Sequence, residues 1–170
     1  MPLIPPAAKI PLPIQESLRD FFVDLLGKGA AAEKAKELKV KTGAEAPKLL
    51  VSVWEDKYQR VGALCISELM LAAIAGSALV LAPASTLPEV EKAGELPDNL
   101  RENYQEVVNI LTSVLNTPST PHLKLTQTYA HPGDELPQAV WDVIAQPSQR
   151  RDFDLTVEGY GSGKISILTR

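Results

Sequence analysis

Between Asp98 and Asn116 the chain reads DNLRENYQEVVNILTSVLN, and its apolar positions Leu100, Tyr104, Val107, Val108, Leu111, Val114 and Leu115 recur every three or four residues. That spacing predicts an amphipathic helix with a single buried stripe. At about 100° per residue, Glu102, Glu106, Asn109 and Ser113 gather one turn apart on the opposite, solvated side. An acid and an amide three residues apart on a rigid helix can reach together into another molecule. The same period predicts a helix over Gln15–Leu26, carried by Leu18, Phe21, Phe22, Leu25 and Leu26. Gly27 and Gly29 interrupt it, and AAAEKAKEL is read as helix resuming to about Leu38.

Elsewhere the period falls to two. Lys48 to Trp54 reads as a strand, Glu55-Asp56-Lys57 as a turn, and Tyr58 to Ile66 as the returning hairpin arm. Thr42 to Pro47 is a linker. Val61 to Pro83 is long enough to cross a bilayer and carries one charge, Glu68. No aromatic belt or Lys/Arg cluster flanks it. It is read instead as a buried strand followed by a helix to about Leu81, with Ser67 as N-cap and Glu68 as first-turn acid.

Pro83 to Pro97 forms a connector with a helical turn near Glu89–Lys92. His122 to Ala130 is a strand broken by His131-Pro132-Gly133, and Pro137 to Ala145 is a short helix around Trp141. Arg151 to Tyr160 and Gly163 to Thr169 predict a last hairpin across Gly161-Ser162-Gly163, with Phe153, Leu155, Val157, Ile165 and Ile167 pointing inward. The fold class is α+β: a mostly antiparallel sheet built from hairpins, with long helices packed on one face. A Pro-rich arm over residues 1–14 precedes a single domain over 15–170.

Composition narrows the function. At 170 residues, 45% hydrophobic and 22% charged, the chain has ordinary globular proportions. A net charge of −4 argues against nucleic acid, and the Arg150-Arg151 pair is followed at once by Asp152 and Asp154. The N-terminus lacks the layout of a secretory signal. The lone Cys65 fits a cytoplasmic protein and reads as a small buried hydrophobe. Two His and one Cys offer no zinc spacing. His131 reads as a surface loop residue, His122 has no role, and Trp54 and Trp141 are core or interface residues. Gly159–Gly163 serves a hairpin rather than a phosphate.

The order helix, strand hairpin, helix, long ExxN helix, strand, strand hairpin resembles the CheC/CheX family of chemotaxis phosphatases from Gln15 onward. That family's motif reads Asp or Ser, three residues, Glu, two residues, Asn, twenty-two residues, Pro. Here Glu102, Glu106, Asn109 and Pro132 stand at those places, with Glu102 replacing the shorter residue. In the first half, FVDLLGKGAAA is similar to the family's ExxNIGAGNAA. Gly27, Gly29, Ala31 and Ala32 match, while Phe22 and Leu25 replace acid and amide. One site therefore remains, as in a CheX-like member.

The resemblance implies hydrolysis of the aspartyl phosphate of a CheY-type response regulator. Asn109 would orient the attacking water and Glu106 would pair with the regulator's Lys. Pro132 would shape the neighbouring loop, with Glu102 and Ser113 as further partner contacts. It also implies a homodimer with no cofactor or metal of its own, Mg²⁺ being carried by the phosphorylated receiver, and no nucleic-acid or membrane partner. The alternative is a non-catalytic regulator-binding or scaffold module on the same fold. A small-ligand-binding domain is a third reading, without a polar pocket signal to support it.

Overall fold

The computed structural model describes residues 3–27 and 29–170. In chain order these form α1 (Gln15–Leu26), β1 (Ala30–Lys34), β2 (Leu49–Glu55), β3 (Val61–Glu68), α2 (Leu69–Leu79), a 3-10 turn (Ala84–Thr86) and α3 (Leu87–Ala93). There follow α4 (Asp98–Leu115), β4 (Lys124–His131), α5 (Gln138–Ala145), β5 (Gln149–Val157) and β6 (Gly161–Thr169). The six strands make one sheet in the order β1-β5-β6-β3-β2-β4, antiparallel at every pairing.

The long helices lie on one face, as the periodicity predicts. Leu18, Phe22, Leu71, Ala72, Tyr104, Val108 and Leu111 of α1, α2 and α4 pack with Leu50, Trp54, Cys65, Phe153, Ile165 and Ile167 of the sheet. The other face is covered over its middle by α5, whose Val140 and Val143 join Leu136 against Leu49, Val51, Val53, Leu64, Ile66 and Leu168. β2 and β3 are thus buried on both sides, which accounts for their nearly continuous apolar runs, interrupted in β2 only by the buried Ser52. The arm reaches this core as well: Ile10 and Leu12 are buried. Ile10 N–H donates to the Arg170 carbonyl at 3.2 Å, and Leu12 N–H donates to Gln149 Oε1 at 2.7 Å.

Four local readings are corrected. The AAAEK stretch is the edge strand β1, paired from Ala30 with Val157 through Lys34 with Phe153, and not a resumed helix. Gly27 and Gly29, at φ 91° and 81°, turn the chain out of α1 and into that pairing. Ser67 is no N-cap, because β3 continues through Glu68 and buries it. The Glu68 carboxylate instead accepts the Lys164 N–H at 2.5 Å. The last hairpin turns three residues earlier than the sequence suggests, at Glu158–Tyr160 rather than Gly161–Gly163, so that β6 starts at Gly161. His131 is buried, with Nε2 2.5 Å from the Lys41 carbonyl and its ring edge-on to Trp141 at 5.7 Å.

Among the described residues no helix is long and apolar enough to cross a membrane; α2 has 11 residues. Exchanging β1 with β4, β2 with β5 and β3 with β6 returns the same strand order reversed. The sheet therefore has a pseudo-two-fold axis between β6 and β3, relating α1 to α4.

Candidate functional site

α4 forms because its apolar residues share one stripe: Leu100, Tyr104, Val107, Val108, Leu111 and Leu115 are buried, and Asp98 stands in the first turn. Beneath it the core is pinned. Gly76 lets α2 approach so closely that an added Cβ would lie 2.8 Å from the Leu100 carbonyl oxygen. Trp54 Nε1 donates to Thr112 Oγ1 at 2.8 Å. The two ends of α4 are tied to the edge strand β4 and to Leu123 just before it. Near the start, Arg101 Nη2 donates to the Thr128 carbonyl at 2.6 Å. At the far end, the Asn116 amide donates to the Leu123 carbonyl at 2.9 Å and accepts the Leu123 N–H at 2.8 Å.

Between these ties α4 and β4 leave an open cleft of about 480 Å³, lined by Arg101, Glu102, Gln105, Glu106, Asn109 and the stretch Leu125–Thr128. Glu102, Glu106 and Asn109 are all exposed along its rim. None of the three side chains bonds to another among the described residues. Ser113 is exposed one turn beyond Asn109, but its hydroxyl turns back to donate to the Ile110 carbonyl at 2.8 Å. It does not line the cleft. Pro132 lies beyond the end of β4 in a separate hollow with Thr42, Gly43, Lys48 and Trp141. Of the five residues singled out in the sequence, three come together and two stand apart.

The related face of α1 carries no such pair. Phe22 is buried edge-on against Phe153, with ring centroids 5.9 Å apart, and Leu25 is half-buried. Under α4, Cys65 Sγ lies 3.8 Å from the Tyr104 hydroxyl, and burial pushes the thiol up to about 12. It is an inert core residue. Among the described residues no group of three or more His, Cys, Asp or Glu could hold a metal ion.

Sequence reasoning missed Arg101 and the β4 residues Thr126, Gln127 and Thr128. Arg101 lies just outside the ExxxExxN spacing, and β4 enters only through its tertiary pairing with β2. The cleft presents the Glu102 and Glu106 carboxylates and the Asn109 amide from a fixed backbone, while its Thr126 and Thr128 hydroxyls are engaged with Val53 and Ser52 of β2. It is equipped to position and to pair.

No family model matches the chain, and no curated protein matches it. Among solved structures, the chain is similar to the FliM middle domain of Vibrio alginolyticus, at 13% identity over 91% of this chain and 86% of that one, with a TM-score of 0.55. It is also similar to a chain of the CheX–CheY–BeF3–Mg²⁺ complex of Borrelia burgdorferi, at 13% identity over 91% of each chain, with a TM-score of 0.50. Thermotoga maritima FliY aligns at 12% identity over 90% of this chain and 82% of that one, with a TM-score of 0.40. The first two likenesses show the fold: an α+β domain of the kind found in CheX and the FliM middle domain.

Proposed function

We propose that this domain docks on a CheY-type response regulator and accelerates hydrolysis of its aspartyl phosphate. The observation that carries the reading is the pair Glu106 and Asn109, exposed and unengaged on one rigid face of α4 beside an open cleft. The CheX neighbour of similar fold is a protein in complex with CheY, which supports the choice of partner class.

In the proposed reaction a water attacks phosphorus in line, the bond from phosphorus to the aspartyl oxygen breaks, inorganic phosphate leaves and the carboxylate is regenerated. The receiver's own Mg²⁺ and Lys neutralise the phosphoryl oxygens, so positioning is what a partner can add. The Asn109 amide, acting as donor or acceptor, holds the water on the attack line. Glu106 pairs with the receiver's Lys and fixes α4 over the phosphate. Glu102 makes an auxiliary contact at the helix start. The resemblance further suggests a cytoplasmic homodimer, with Ser113 and Pro132 at the margin of the docked surface.

The test is phosphate release from a phosphorylated receiver. Wild-type protein should accelerate it and Asn109→Ala, folded, should not; equal rates from the two proteins would falsify the catalytic claim. Glu102 favours a second reading, a regulator-binding module without turnover. It adds a carboxylate one turn from Glu106 where an anionic partner must approach. That reading expects receiver binding by calorimetry with release no faster than the receiver alone.

A further inference from the structure

The cleft holds a charge that the Glu106–Asn109 pair does not use. Arg101 is half-buried at the β4 side, held by one bond from Nη2 to the Thr128 carbonyl at 2.6 Å. Arg19, Arg60, Arg150 and Arg170 each sit against an Asp or Glu within 4.0 Å. Arg101 and Arg151 have no such partner among the described residues; Arg151 Nη1 donates to the Arg150 carbonyl, whereas Arg101 lines the open cleft beside Glu102. A guanidinium carries five N–H donors in a planar fork, and the single carbonyl engages one of its nitrogens. A partly desolvated cation beside an open cleft is ready to accept an anion from whatever enters.

We infer that Arg101 is a docking residue that binds a side-chain carboxylate on the surface of the receiver proposed above. Its place on α4 decides which anion it meets. Arg101 precedes Asn109 by eight residues, about 12 Å along the helix axis at 1.5 Å per residue. Its side chain also leans back toward the helix start, away from the amide. The phosphoryl group attended by Asn109 is therefore out of reach, and the contact is with a carboxylate one side chain's length away across the interface. Arg101 on the strand side and Glu102 on the outer side then present opposite charges to the partner. That arrangement fixes the direction in which α4 is read. Arg101 acts on binding and does not touch the reacting atoms.

The inference rests on the receiver reading, and one experiment separates the two. Phosphate release and binding are measured with a phosphorylated receiver for wild type, Arg101→Gln, Arg101→Lys and Asn109→Ala, with a melting temperature for each. Arg101→Gln keeps a polar amide at the position and loses the charge. Its KM should rise about tenfold at low salt with kcat within about twofold, and the gap should narrow as salt screens the pair. Arg101→Lys should recover most of the loss. Receiver carboxylates are also neutralised one at a time. One of them should weaken wild-type binding about tenfold and leave Arg101→Gln unaffected. If Arg101→Gln does not fold, Arg101→Met, which also lacks the charge, takes its place in that scan.

An unchanged KM for the Gln variant, or a receiver scan with no carboxylate coupled to position 101, overturns the inference while leaving the catalytic reading intact. Turnover by Asn109→Ala equal to wild type, with weaker binding by Arg101→Gln, removes the catalysis and keeps the docking residue. A wild type that binds no receiver removes both.

Discussion

Replacing Gly76 by Ala should destabilise the domain although the substitution favours the helix it sits in. In the middle of a helix, Gly→Ala contributes about 1 kcal/mol of stability through backbone entropy. Against this, the new Cβ would lie 2.8 Å from the Leu100 carbonyl oxygen and 3.3 Å from both the Asn103 Cβ and the Tyr104 nitrogen. The closest of these is a backbone atom of α4, so no side-chain rotation relieves it. Optimal carbon contacts are about 3.5 Å or longer, and such overpacking typically costs about 1–3 kcal/mol. The balance is a net loss of about 1 kcal/mol. α4 should yield by a few tenths of an ångström at Leu100–Tyr104, next to Arg101 and Glu102. Urea unfolding followed by circular dichroism measures the effect. At an m-value of about 2 kcal/mol per molar, the midpoint should fall by about 0.5 M with m unchanged. A midpoint raised by the amount expected from helix propensity alone would show that the close crossing carries no energy and that this account of how α4 is held is wrong.

Acid should act through Asp56, which accepts from the Tyr58 and Arg60 backbone N–H groups, Arg60 Nε and Arg170 Nη1 at 2.8–3.1 Å. Burial alone raises its carboxyl, but those donors outweigh it and hold it at about 2 against an ordinary 3.8. Because the folded pKa lies below the unfolded one, the contribution of about 2 kcal/mol is present above pH 4 and lost between pH 4 and 2. Asp56→Asn should remove that slope from an acid titration of stability, and an unaltered slope refutes the assignment. Leu81 is 86% exposed at φ 53°, in the left-handed place that ends α2, where the Ala82 N–H bonds back to the Ser77 carbonyl. Leu81→Gly should therefore stabilise the fold by about 0.5 kcal/mol, the strain relieved less the entropy added to the unfolded chain, and a lowered melting temperature contradicts this.

How far the residues alone foretell the structure differs from element to element. α4 was legible because its stripe is dictated by period alone, and the outward side of Glu102, Glu106 and Asn109 follows from the same geometry. The hairpin of β2 and β3 was legible because both strands are apolar runs joined by a polar turn. β1 was not: Ala30–Lys34 is made of good helix formers, and only pairing with β5 makes it a strand. Ser67 and Glu68 mimic a helix start because local chemistry cannot report the Lys164 N–H that claims the Glu68 carboxylate. His131 resembles a loop residue until the distant Lys41 carbonyl closes over it. The cleft behaves likewise. Its helix wall is a local pattern, whereas its strand wall and the Arg101–Thr128 tie depend on residues 27 positions apart.

The pseudo-two-fold sheet has a consequence for assembly. Each half lends its outermost strand to the other, β1 to β5 and β4 to β2. Neither half completes its sheet pairing alone, so the two pseudo-symmetric halves depend on one another for structure. Cutting the chain between α3 and α4 would yield two fragments with mutually complementary edges, unstructured apart and competent together, so that whatever this domain binds is recognised only by the reunited pair.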